Sequence, residues 1–233
     1  MAGAPPRNGR VLRLDLHVHT TASPDSTLTL ERALLEARSR GLAGFALTDH
    51  NRVPGPEELE RLRALGPGLL LVPGTEISTR QGHLLAFGLR RAIPRGLTYE
   101  ESVARVRAEG GLPVAPHPFR WAHGCGLHGL GTPGLAGWEE VNGRTFRKAN
   151  RRAAELPRSP GGSRTGGSDA HSPGELGRAF TEVEVESFDV DGVLRALSEG
   201  RCRGGGEGQS WGGRIRISLA NAGKRLGRGL RPV

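Results

Sequence analysis

The sequence predicts an α/β domain in which about seven strand and helix units close into a small barrel. Apolar runs of strand length alternate with helical patterns along most of the chain, which implies parallel pairing through crossovers. The 233 residues suit one sizeable domain better than two very small ones. Histidines and acids gather where the strands end, and in a parallel barrel those ends emerge at one rim.

In order along the chain, "VLRLDLH" from Val11 is the first strand. "LTLERALLEARSRG" follows as a helix, apolar at Leu30, Ala33, Leu34 and Ala37 and stopped by Gly41. "GFALTDH" is a short buried strand, and "PEELERLRAL" a helix that accepts Pro56 in its first turn. "LLLVPGTEI" and "HLLAFGL" are strands, followed by a helix from Tyr99 to Glu109 with capping-box spacing between Thr98 and Glu101. "LPVAPHP" and "WEEVNG" are further strands, and "FRKANRRAAEL" a helix. A strand precedes "GSDAH", and then come "AFTEVEVE" and the helix "VDGVLRALSEG". Two stretches break the rhythm: a Gly-rich loop from Trp121 to Gly137, of the kind that forms a lid or rim, and a Gly-rich linker from about Arg203 to Gly213. The organisation expected is an N-terminal extension (1–10), the barrel (11–200) and a basic Gly/Arg-rich tail (201–233).

The net charge of +9 is unevenly placed. From Arg201 onward eight Lys/Arg face one acid, Glu207, or +7; the first 200 residues hold 25 basic and 23 acidic residues, or +2. With no basic stripe evident over the body, a nucleic-acid-binding module is disfavoured as the main identity. Cys125 and Cys202 are too few and too far apart for a disulfide framework or a Cys-rich zinc site, which points to reducing, cytoplasmic surroundings. No apolar run reaches the roughly 18–20 residues of a membrane span, and MAGAPPRNGR lacks the apolar segment of a signal peptide.

His17 and His19 end the first strand, with Asp25 shortly after; His50 ends the second and Glu76 the third. His117 follows "LPVAP", and Asp169 and His171 lie in "GSDAH". His83 is the awkward member, since it opens its strand and needs a chain reversal to reach the same rim. One strand-end histidine is an ordinary structural feature, and Asp49 reads as a cap or turn residue rather than a ligand. Nine such groups in series are another matter, because burying imidazoles and carboxylates together is costly unless they are paired or bind metal. Imidazole and carboxylate without thiolate suit Zn²⁺, Mn²⁺ or Fe²⁺. Nine ligands suffice for two or three ions with a bridging carboxylate, the arrangement used in phosphoester hydrolysis.

"DLHVHTTASPDS", "ALTDHN", "PGTEIS", "GHLLAFGL", "APHPFR" and "GSDAH", in this order, resemble the PHP (polymerase and histidinol phosphatase) family over Leu12 to Gly200. "WEEVNGRT" and "GRAFTEVEV" resemble its small stand-alone phosphoesterases. The resemblance implies a distorted seven-stranded β/α barrel with up to three metal ions. One would be held by His17, His19, Glu76 and Asp169; a second would share Glu76 and add His83 and His117; a third would use Asp25, His50 and His171. Pro24 departs from the family's usual form beside Asp25, and the Gly-rich loop after His117 is uncommon.

The activity so implied is hydrolysis of a phosphomonoester of a small metabolite or nucleotide, such as a nucleoside 3′,5′-bisphosphate, by metal-activated hydroxide. Asp169 is a candidate for proton transfer. Arg120, Arg144 and Arg178 are candidates for phosphate binding, and Arg120 and Arg178 for transition-state charge, because a guanidinium matches two oxygens at once. His123 and His128 are further loop residues that could face substrate. The alternatives are a histidinol-phosphate phosphatase, a 5′-3′ exonuclease on short oligonucleotides drawn in by the basic tail, and an inactive metal-stabilised interaction module.

Overall fold

A computed structural model of the chain describes residues 9–157 and 162–209. One nine-stranded sheet, in the order β7-β6-β5-β4-β3-β2-β1-β8-β9, organises the fold. It curls into a nearly closed barrel. The segment after β7 (Ser163–Gly167) returns to the end of β1 (Arg10–Val18), where Asp169 N donates to His17 O (2.8 Å) and His19 N to Ala170 O (3.0 Å).

Between those strands the expected alternation holds in outline. α1 (Leu30–Ser39) is capped by the Thr29 hydroxyl, which accepts from Arg32 N, and it buries Ala33, Leu34 and Ala37. β2 (Gly44–Leu47) is wholly buried, and α2 (Pro56–Leu65) starts on its proline. β3 (Leu70–Thr79) and β4 (Gly82–Phe87) follow. α3 (Tyr99–Ala108) carries the full capping box between Thr98 and Glu101. β5 (Leu112–Ala115), α4 (Gly126–Leu130), β6 (Gly137–Asn142) and α5 (Arg147–Ala154) lead to β7. β8 (Ala179–Val185), α6 (Val190–Ser198) and β9 (Cys202–Gly206) complete the described chain.

Three expectations need correction. The sheet has nine strands rather than seven, because β8 and β9 continue it beyond β1 as an antiparallel pair. It is mixed rather than parallel. β3 and β4 are separated by only two residues, Arg80 and Gln81, too few for a crossover, so they form an antiparallel hairpin turned at Gly82 (φ 129°). The stretch read as a linker from Arg203 contains β9, whose Gly204 N donates to Glu140 Oε1 (2.8 Å). Its glycines are there for close approach: a Cβ on Gly204 would meet the Thr165 carbonyl oxygen at 2.6 Å. The Gly-rich loop after Trp121 holds the short α4, and the tail beyond Gln209 lies outside the described residues.

The core follows from period-two and helical patterning. Leu12, Leu14, Leu16, Val72, Leu85, Phe87 and Val114 fill the barrel interior with Val193 and Leu197 of α6. A second cluster seats α1 through Ala33, Leu34 and Ala37 against Phe45, Leu47 and Leu71. Among the described residues no helix is long and apolar enough to cross a membrane.

Candidate metal centre

All nine candidate ligands converge at one end of the barrel. Glu76, near the end of β3 and 1% exposed, lies at the centre. Its Oε1 faces His83 Nδ1 (2.9 Å), His117 Nε2 (3.0 Å) and His17 Nε2 (3.4 Å). Its Oε2 faces His19 Nε2 and His50 Nδ1, both at 3.3 Å. Asp169 Oδ1 lies 3.7 Å from the Nε2 atoms of His17 and His19 and 3.4 Å from His171 Nδ1. Asp25 Oδ2 is 3.1 Å from His171 Nε2 and 3.6 Å from His50 Nε2. The hairpin explains His83: because β4 runs against β3, the start of β4 lies beside the end of β3.

Four groups of ligand atoms are close enough to share an ion: His17–His19–Glu76, His17–His117–Asp169, His50–Glu76–His83 and His19–His50–His171. His117 thus groups with His17 and Asp169 as well as reaching Glu76, and His50 connects Glu76 to His171. The chemistry of these donors fits divalent cations. Three carboxylates and six imidazoles converge with no thiolate, and Asp25 Oδ1 and His117 Nδ1 have no hydrogen-bond partner among the described residues. His50 Nδ1 and His83 Nδ1 approach Glu76 without the alignment of a hydrogen bond.

Burial opposes ionisation of Glu76, but the charges of His83 and His17 and the hydrogen bond from His117 hold it well below the carboxylate range. Burial likewise opposes ionisation of Asp169, which Arg120, His17 and His171 hold low. His17, despite burial, is raised well above its ordinary value by Glu139, Asp169 and Glu76. Burial lowers its neighbour His19, assisted by the charge of His171, and takes His117 down to about 3 with help from Arg120. His17 Nε2 and His19 Nε2 stand 3.1 Å apart, so one donates and the other accepts.

Several supporting residues escaped the sequence patterns. Glu139, 1% exposed on β6, faces His17 Nδ1 (3.0 Å) and accepts from His117 N (2.9 Å) and Asn142 Nδ2 (2.9 Å). Bonded there, the His17 ring turns Nε2 toward the ligand cluster. Asp15 accepts from the backbone of His17, Ser168 and Gly177, and burial pushes its carboxyl up to about 6 against those donors. Ser23 meets His19 Nδ1 (3.1 Å) and donates to Asp49 Oδ1 (2.7 Å), and Asp49 also accepts from Thr20 N (2.7 Å). The available signal was burial of polar residues at strand ends. It was weak for Glu139 because "WEEVN" places two acids side by side, and Glu140 turns instead to Arg164 (3.0 Å).

Backbone conformation is unusual at the same places. His117 (φ 31°) and Asp169 (φ 55°) lie in the left-handed region that side chains seldom adopt, a strain typical of functional positions. Gly167 permits the closest approach: a Cβ there would lie 2.3 Å from His17 Cβ and 2.7 Å from Glu139 Oε1.

Of the candidate arginines, Arg120 Nη1 meets Asp169 Oδ2 at 2.6 Å, with the side chain 22% exposed. Among the described residues the Arg144 side chain makes no hydrogen bond or ion pair with the candidate ligands, but its charge helps lower Asp169. Arg178 lies just before β8, and among the described residues its side chain makes no hydrogen bond or ion pair. His123 stacks on His83, ring centroids 4.5 Å apart, whereas His128 is exposed and faces Glu100 (2.8 Å) outside the cluster.

A nearly closed α/β barrel with convergent imidazoles and carboxylates at one rim defines a candidate multinuclear metal centre. The comparisons with known proteins agree: a family model described as PHP domain matches residues 15–104, and one described as PHP-associated matches residues 147–202. An uncharacterized protein of Methanocaldococcus jannaschii is 35% identical over 118 residues, covering 46% of this chain and 68% of that protein. The chain belongs to the PHP family. A relative described as "Probable phosphatase" from Edwardsiella ictaluri is 27% identical over 230 residues, covering 78% of this chain and 89% of the relative. A 5′-3′ exoribonuclease of Haemophilus influenzae is 29% identical over 106 residues, 44% of this chain and 38% of that enzyme. Among solved structures, a two-domain protein of Bacteroides vulgatus containing a predicted PHP-like metal-dependent phosphoesterase superposes with a TM-score of 0.64. It is 23% identical, with 88% of this chain and 70% of that chain covered.

Proposed function

We propose that this protein is a metal-dependent phosphoesterase that hydrolyses phosphomonoesters. The observation that carries the reading is the Glu76 carboxylate, with three imidazoles at one oxygen and two at the other, beside an Asp169 already paired with Arg120. His17, His19, Glu76 and Asp169 would hold one ion, His83 and His117 with Glu76 a second, and Asp25, His50 and His171 a third. Divalent ions so held supply Lewis acidity toward phosphate oxygens and make water a nucleophile near neutral pH.

The chain's own groups do the rest. Glu139 fixes the His17 tautomer through Nδ1. Asp169 stays a candidate for proton transfer by its place among the imidazoles, although Arg120 and His17 hold its carboxyl low and so weaken it as a base. Arg120, partly exposed, presents a guanidinium to charge developing on the phosphate, with Arg144 close behind. Arg178, whose side chain has no ion-pair partner among the described residues, remains a candidate for a second phosphate of a bisphosphorylated substrate. The relative named as a phosphatase matches over most of its length and favours this reading over an inactive interaction module.

The test is metal quantification joined to turnover of p-nitrophenyl phosphate, histidinol phosphate, a nucleoside 3′,5′-bisphosphate and a short 5′-phosphorylated RNA. Hydrolysis that follows bound metal is expected. Stoichiometric metal with no hydrolysis of any of these would sink the enzyme reading.

A further inference from the structure

The body does carry a basic surface, which the even charge count of the first 200 residues concealed. α5 buries Asn150 and Ala153 and exposes Arg147, Lys148, Arg151 and Arg152. Among the described residues only Arg147 of these has an acidic partner, Glu207, at 2.8 Å. Arg152 lies over the Phe119 ring (4.1 Å), and among the described residues the side chains of Lys148 and Arg151 make no ion pair or hydrogen bond. The residues outside the described set contain no Asp or Glu, so no acidic side chain there can neutralise the helix. Like charges three and four residues apart disfavour an isolated helix. This one holds them in place because Trp138 Nε1 donates to Ala153 O (3.1 Å) and Asn150 Nδ2 to Asn142 O (3.0 Å).

Both ends of α5 are tied to the candidate metal centre. Upstream, Asn142 bonds Glu139 and approaches Asp169 Oδ2 (3.5 Å), while its Oδ1 accepts from Arg144 N (3.1 Å) and Thr145 Oγ1 (3.0 Å). Downstream, Arg152 packs on Phe119, the neighbour of Arg120, whose guanidinium meets Asp169. The cations thus run from the rim end of β6 back along the outside of the barrel for about 8 Å of helix, more than one phosphate requires. Next to Arg120, Trp121 is 102% exposed, an aromatic face that contributes nothing to the core.

We propose that α5 and Trp121 bind a single-stranded oligonucleotide, with Lys148, Arg151 and Arg152 on its phosphodiester backbone and the indole under a base. Placement of its terminal phosphate at the metal centre rests on the phosphoesterase reading; binding to α5 does not. Charge complementarity alone would also suit an anionic membrane, but continuity of the cations with Arg144, Arg120 and Asp169 favours a chain of phosphates leading to the centre.

The test uses the whole metal-loaded protein and fluorescence anisotropy with labelled phosphorothioate RNA and DNA of about ten nucleotides. The double variant K148Q/R151Q is expected to weaken oligonucleotide binding about tenfold and to lower the salt slope by about 1.4, or about 0.7 for each phosphate no longer neutralised. W121A is expected to weaken it about fivefold or more. Unchanged affinity and salt slope in K148Q/R151Q would overturn the proposal, as would tighter α5-dependent binding to phosphatidylserine vesicles than to RNA or DNA. α5-dependent binding without hydrolysis of any phosphoester would support this surface and overturn the phosphoesterase reading. Phosphomonoester turnover with α5-independent oligonucleotide binding would do the reverse.

Discussion

Glu139 shows at the residue scale how one buried group governs several others. Its carboxylate meets the His17 ring, the His117 backbone and the Asn142 amide. Glu139→Gln is expected to weaken metal binding about 10- to 100-fold, as removal of an outer partner of a ligating histidine generally does. A metal titration reads the change, and unaltered affinity would remove Glu139 from the centre's support. His17→Ala and Asp169→Ala are expected to lose both metal and activity, because each residue belongs to more than one close ligand group or contact. Loss of activity in D169A at full metal content would point instead to proton transfer alone. His128→Ala is expected to leave both unchanged, since its partner is the exposed Glu100.

At the scale of elements, strand direction and close backbone approach place these residues. The two-residue β3–β4 turn brings His83 beside Glu76, whereas a crossover would have carried His83 to the opposite rim. Gly167, ending β7, lets His17 and Glu139 meet with no side chain between them. Gly167→Ala is therefore expected to displace the His17 ring and weaken metal binding. Leu14→Ala, in the fully buried middle of β1, should cost about 2–5 kcal/mol of stability with ligand geometry retained. Denaturant unfolding of both variants beside a metal titration separates the effects. A G167A protein with native metal affinity would show that the close approach is dispensable.

The whole molecule couples the centre to folding and to pH. Three candidate acidic ligands and six imidazoles share one largely buried rim, so cations held there would relieve a desolvated cluster. Chelation is expected to lower Tm, since metal at a hundred times Kd contributes about 2.7 kcal/mol. His17 is raised well above its ordinary value and must release its proton to ligate, whereas burial keeps His19 and His117 neutral. Affinity should therefore rise as pH climbs above the ordinary imidazole range, where His17 gives up its proton, with protons released on binding. Calorimetry in buffers of different ionisation enthalpy measures that release, and a pH-independent Kd with no proton release would contradict it.

By itself the sequence determined the α/β class, nearly every helix and strand, and the residues that converge, because hydrophobic periodicity and strand-end polar residues are local signals. "DLHVH", "TDH", "GTE" and "SDAH" each mark a strand end without reference to the rest of the chain. Only the tertiary structure decided the antiparallel β4, the continuation of the sheet through β8 and β9, the role of Glu139 and the open cationic face of α5. Each of these depends on which distant segment lies alongside, and pairing energy between strands or charges is not written in the spacing of either one alone.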